Sequence, residues 1–260
     1  MKLDIFQVDA FASAVFEGNP AAVCPLPSWL PDDLLQKIAE ENNLSETAFF
    51  VSAENTYQLR WFTPKGEVDL CGHATLATAH VLFTHLGFHD QTVQFQTRSG
   101  LLSVTKLPEG YSMDFPATPP HPVDPPENIL VGLGVSSVEA VLAGFDYLVV
   151  LSHESEVKAV SPDFEKLAQL DLRGVVVTAR GDSVDFVSRC FYPKLRVNED
   201  PVTGSAHCQL APYWCERLDK NKLTAQQLSE RTGKIKCTLV EGRVILEGNA
   251  VDYLQGQISI

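Results

Sequence analysis

Side chains alternate between apolar and polar at the start of the chain. In Lys2–Ala10, Leu3 and Ile5, then Phe6 and Val8, interleave with polar residues, which predicts a strand. Gly18-Asn19-Pro20 reads as a turn, and residues 21–24 resume as a short strand. The spacing then lengthens. Leu34, Leu35, Ile38 and Ala39 share one helical face, Pro31 suits a first turn, and Asp32 and Asp33 suit its positive end, so 31–43 is predicted to be a helix. Residues 47–52 and 57–62 read as a strand pair and 74–86 as a helix of small and apolar residues. Further strands are expected at 92–97, 101–106 and 111–115.

Pro116, Pro119, Pro120, Pro122, Pro125 and Pro126 then interrupt both helix and ladder. The domain boundary is placed there, giving halves 1–116 and 117–260, with the last strand able to return to the first half. Beyond it, helical stretches are expected at 127–133 and 137–142 and strands at 147–152, 174–179 and 185–191. Helices follow at 206–217 and 225–233, then strands from 235 to 260.

The two halves echo each other. Phe62-Thr-Pro-Lys65 leads through Glu67 and Asp69 to Gly72 and a small-residue helix. Phe191-Tyr-Pro-Lys194 leads through Glu199 and Asp200 to Gly204 and a second one. The stretches before them match as well, in the order strand, strand, turn, helix. Two similar halves imply a ligand held in a cleft between them, where pockets commonly form.

Charge and composition exclude several classes. An apolar fraction of 45% and a charged fraction of 20% are those of a globular protein. A formal net charge of −13 with scattered basic residues argues against nucleic acid. Asp4 and Asp9 break any leader-like apolar run, and no run is long enough to cross a bilayer, so a cytoplasmic protein off the membrane is expected. The six cysteines show neither CxxC pairing nor zinc spacing and read as reduced thiols. No nucleotide-binding glycine loop follows a strand, and no cofactor or metal is expected.

Four places can carry chemistry. Gly72 allows a sharp turn and close approach to a ligand, and the helix beginning there offers unpartnered N–H groups to a carboxylate. His73 at that positive end is expected as a neutral imidazole. Cys71 beside it is a second candidate base, its thiol expected to be acidified by the helix start. Asp200, Gly204 and Ser205 occupy the matching place in the second half, with Ser205 able to cap its helix. Glu46, at the mouth of an apolar strand, is a candidate acid and base.

At these residues the sequence resembles PhzF-like phenazine-biosynthesis isomerases. The stretches that carry the resemblance are Phe16-Glu-Gly-Asn-Pro-Ala-Ala-Val23, Asn43-Leu-Ser-Glu46-Thr47, Cys71-Gly-His-Ala-Thr75 and Glu199-Asp-Pro-Val-Thr-Gly-Ser-Ala206. The resemblance implies the diaminopimelate epimerase fold, two similar α/β halves, each a curved, mostly antiparallel sheet around a central helix, commonly in a homodimer. It implies Glu46 as the proton shuttle, His73 and Asp200 near the reacting atoms, and Gly72, Gly204 and Ser205 on a substrate carboxylate, with Asn19 facing the cleft. Diaminopimelate epimerases use one cysteine per half; here only Cys71 stands in place, since Cys208 comes too late. Three readings stay open: a cofactor-independent isomerase of a small carboxylated substrate, an amino-acid epimerase using Cys71, or a binding protein on the same scaffold.

Overall fold

In the computed structural model, which describes residues 1–260, the first alternating stretch forms β1 (Lys2–Ala10) and the Gly-Asn-Pro turn leads into β2 (Asn19–Leu26). The expected helix is α1 (Asp32–Asn42), followed by β3 (Glu46–Ala53), β4 (Thr56–Thr63) and the short β5 (Gly66–Val68). Next come α2 (Gly72–Thr84), β6 (Thr92–Thr97), β7 (Gly100–Lys106) and β8 (Tyr111–Pro116). The second part of the chain runs β9 (His121–Pro122), α3 (Ile129–Leu133), β10 (Ala140–Ala143), β11 (Tyr147–Val150), α4 (Glu154–Ala159) and α5 (Phe164–Leu167). It continues through β12 (Val175–Arg180), β13 (Phe186–Tyr192), β14 (Val197–Asp200) and α6 (Gly204–Leu218). The last elements are β15 (Lys222–Gln227), β16 (Gly233–Val240), β17 (Arg243–Gly248) and β18 (Ala250–Ser259). Two units result: Met1–Asp114 with Glu247–Ile260, and Phe115–Leu246.

Both units are built to one plan. In the first, β1/β2 is antiparallel, β2/β3 parallel, β3/β4 and β4/β5 antiparallel, β4/β6 parallel and β6/β7 antiparallel. In the second, β10/β11 is antiparallel, β11/β12 parallel, β12/β13 and β13/β14 antiparallel, β13/β15 parallel and β15/β16 antiparallel. The echo reaches single side chains. Arg60 clasps Glu67 through Nε and Nη2 at 2.7 and 2.8 Å and lies 5.1 Å over the Phe62 ring. Arg189 clasps Glu199 the same way at 2.8 Å and lies 5.1 Å over Phe191. Bidentate guanidinium–carboxylate geometry fixes the short strand to its long neighbour in each unit. The expected mixed α/β fold of two similar halves is thus present, and β18 pairs antiparallel with β1 inside the first unit.

The helices sort by the company they keep. On α1, Leu35, Ile38 and Ala39 bury one face against Leu3, Cys24, Leu26, Phe49 and Phe62. Full burial of a Leu or Ile side chain stabilises by about 1.5–3 kcal/mol. By contrast, every residue of α2 from His73 to Phe83 is buried, and the helix packs on β1, β2, β3, β7 and β18. An all-round apolar helix is an interior one, and its run of Ala and Thr lets strands approach closely. Thr75 and Thr78 spend their hydroxyls on the carbonyls of Cys71 and Ala74. α6 is the counterpart. Its Pro212 cannot donate to the Cys208 carbonyl, and that carbonyl instead accepts the Thr118 N–H at 2.9 Å.

Several expectations are corrected. Residues 137–142 do not form a helix: 140–143 is the strand β10, because pairing with β11 on one side and β9 on the other outweighs local helix propensity. Residues 225–233 are not helical either. They end β15, turn, and begin β16, held by the β15/β16 ladder. Gly72 and Gly204 are not turn glycines with positive φ; each is the first residue of its helix. Gly18 is the glycine that needs its freedom. Its φ is +66°, and a Cβ there would lie 2.2 Å from the Ala10 carbonyl oxygen. No helix is long and apolar enough to cross a membrane.

Candidate active site

Asn19 and Glu46 are the first residues of β2 and β3, neighbouring parallel strands in which Ala21 pairs with Glu46. Parallel strands enter from the same end, so both side chains stand at one edge, where α2 also begins. His73, the second residue of α2, joins them. Its Nε2 lies 3.0 Å from Glu46 Oε2 and its Nδ1 lies 3.3 Å from Asn19 Nδ2, with the roles set by the tautomer. Cys71 Sγ is 3.5 Å from the same Nδ1. The side chains of His73 and Glu46 are only 7% and 16% exposed, so charge here is poorly screened. Glu46 Oε2 is buried and receives no aligned hydrogen bond, although the imidazole nitrogen is so close. Buried carboxylate oxygens left this way are rare outside functional places.

Electrostatics correct two expectations. Burial alone would make His73 less basic, but the neighbouring Cys71 and the Glu46 carboxylate outweigh it, and the imidazole is held well above the usual histidine range. The carboxylate at 3.0 Å favours the imidazolium. His73 is therefore charged, not neutral. Burial, with the Glu46 charge adding to it, pushes the Cys71 thiol up to about 11, against the lowering expected at a helix start. The Ala74 N–H at the helix start acts in the lowering direction, but desolvation is the larger effect. Glu46, Cys71 and His73 present donor atoms within 4.8 Å of one another, so they are also the residues of this site able to hold a cation.

The starts of α2 and α6 match. Neither Cys71 nor Thr203, their N-cap residues, caps the helix with its side chain. First-turn N–H groups at such an end suit an anion. In the second unit Asp200 ends β14 and accepts the Thr203 hydroxyl. Gln227 braces the turn between them: its Nε2 donates to the Asp200 carbonyl at 2.6 Å and its Oε1 accepts the Thr203 N–H at 2.9 Å. Ser205 does not cap the helix as expected. It is the second helical residue, and its Oγ accepts from Arg173 Nη2 at 3.0 Å. Arg173 is itself held bidentate by the fully buried Asp146 at 2.9 and 2.7 Å. Because Arg173 occupies a lone pair of Ser205, the serine's own proton is left to point at another acceptor.

Arg173, Asp146 and Gln227 were not singled out from the sequence. Gln227 lies in the stretch expected to be helix, and Arg173 and Asp146 lie outside every motif. Their partners are distant in sequence, and the one visible signal was the alternation of Leu223, Ala225 and Gln227. Two open surface cavities, of about 380 and 980 Å³, are lined by none of the candidate residues.

The profile of the phenazine biosynthesis-like protein family matches residues 8–256. An uncharacterized isomerase of Pseudomonas aeruginosa is 54% identical over 260 residues, covering all of both chains. A PhzF-family crystal structure from Enterococcus faecalis is 50% identical and superposes with a TM-score of 0.97 over 100% of each chain. A hydroxyproline epimerase from Agrobacterium vitis shares the fold, with a TM-score of 0.64 at 11% identity over 99% of this chain and 92% of its own.

Proposed function

Since this chain belongs to the phenazine biosynthesis-like family, whose bacterial relatives are named isomerases, we propose that it moves a proton between carbons of a small carboxylated substrate, with Glu46 as the acid and base. The observation that carries the reading is the buried Glu46 Oε2, unaligned with any donor yet 3.0 Å from the His73 imidazole. An oxygen with a free lone pair can take a proton from carbon. The adjacent imidazolium offsets the charge that Glu46 carries before the transfer and after it returns the proton. Asn19, with its amide turned to present Oδ1, accepts from the far nitrogen of the charged ring.

A substrate carboxylate is assigned to the N–H groups at Gly72; Gly204 and Ser205 offer the same kind of helix start to an anion, with Asp200 beside them to accept a substrate donor. The reaction as proposed uses no metal and no organic cofactor, and the enzyme works as a cytoplasmic homodimer. Light scattering is then expected to return twice the chain mass of 28.6 kDa.

Incubation with candidate carboxylated substrates in D₂O tests the chemistry. Deuterium is expected to enter at carbon and to fall by roughly 10²–10⁴-fold in Glu46→Gln. Tight binding with no exchange in the wild type, or full exchange in Glu46→Gln, would sink the proposal. Cys71→Ala is expected to keep most of the activity, because a thiol near 11 is a poor base at neutral pH. Asp200→Asn and Ser205→Ala are expected to raise KM more than they lower kcat. The rate is expected to drop at high pH, as His73 loses the proton that its raised pKa retains through neutrality.

A further inference from the structure

Away from Glu46, the first unit gathers a second set of donor groups that no motif announces. His80 lies on α2, and His85 is that helix's C-cap residue. Both rings turn Nε2 toward Asp252 on β18, at 3.1 and 3.0 Å from the same Oδ1. All three donor atoms lie within 4.8 Å of one another. We propose that His80, His85 and Asp252 form a binding site for a divalent transition metal of the zinc class, which fastens β18 to α2.

The spacing fits that ion. Bonds of about 2.0 Å set tetrahedral donor atoms roughly 3.3 Å apart, close to the two histidine–aspartate distances. Two imidazoles and one carboxylate are a borderline-soft set that suits zinc better than magnesium or calcium. The Asp252 side chain is 43% exposed, which leaves a fourth position to water.

The surroundings orient the donors. His80 Nδ1 lies 2.9 Å from the Tyr111 hydroxyl. With Nδ1 protonated and that oxygen accepting, the Nε2 lone pair faces the metal, the outer arrangement usual for histidine ligands. Phe6 stacks on the His85 ring at 5.0 Å.

The backbone has also been adjusted at this point. In the β1/β18 ladder Val8 opposes Asp252 while Gln7 opposes Leu254, so Tyr253 is an inserted residue. Val8 is fully buried, and Phe6, two residues earlier on the same face of β1, touches His85 of the helix terminus. Opposed residues in a ladder share a face. Without the bulge at Tyr253, strict alternation from Leu254 would turn residue 252 to the other face of the strand. Bulges are a recognised means of re-aiming one side chain.

The test uses the full chain stripped with a chelator and titrated with Zn²⁺ for affinity and Co²⁺ for spectra. One ion is expected per chain, with visible bands of a nitrogen and oxygen site. Affinity is expected to fall at least tenfold in both His85→Gln and Asp252→Asn and to stay unchanged in Cys71→Ser. Zn²⁺ at 100 times its Kd is expected to raise the wild-type melting temperature by roughly 5–10 °C. No binding below millimolar metal would overturn the proposal. So would a thiolate charge-transfer band with loss in Cys71→Ser, or unchanged affinity in Asp252→Asn. Each variant is nearly isosteric, and if one fails to fold the other decides.

Discussion

His207 shows how a single residue sets a limit on the whole chain. It is fully buried, its Nδ1 lies 2.7 Å from the Thr203 carbonyl, and its Nε2 has no partner. Burial pulls its pKa down to about 4. A histidine depressed in the folded state contributes stability that is present above its unfolded value of about 6.5 and is lost as pH falls through the folded value. Thermal melts are therefore expected to lose on the order of 3 kcal/mol between pH 6.5 and 4 from this group. A His207→Gln variant that melts with the same pH slope as wild type would refute the assignment. Candidate site residues stood out where short motifs spelled them out: Asn19, Glu46, Gly72 and His73, and again Asp200, Gly204 and Ser205. Protonation was not legible. The raised His73 and the raised Cys71 follow from burial and from a carboxylate brought over from another strand, neither of which local spacing contains.

At the scale of elements, long strands and the two central helices were read well because their periodicity is sustained. Short elements were not. Residues 137–142 carry helix formers, and the β10 pairing on both edges decides against them. In β15 a polar residue, Gln227, occupies an interior position because it braces the Asp200 turn, which disguised the alternation. The turn ahead of β2 yields a sharp prediction. Gly18→Ala would force both a left-handed φ and a Cβ 2.2 Å from the Ala10 oxygen. A loss of about 2 kcal/mol or more is expected in urea unfolding, with Asn19 displaced and activity reduced. Leu35→Ala, by contrast, is expected to cost about 2–5 kcal/mol through a cavity under α1 while leaving the α2 start and its chemistry intact.

At the scale of the molecule, the repeat was visible as a shared Phe-x-Pro-Lys and a shared order of elements. The matching Arg–Glu–Phe clasps needed coordinates, since they join residues across separate strands. The pairing of β18 with β1 has a temporal consequence. During synthesis β1 emerges ahead of β2, one of its two neighbours, yet the other, β18, emerges only after the entire segment from Phe115 to Leu246 has been made. That contiguous segment is free to fold on the ribosome. The first unit, meanwhile, must hold an unsatisfied strand edge until translation supplies the missing rung, which makes β1 the place where a nascent-chain chaperone would find its longest-lived target.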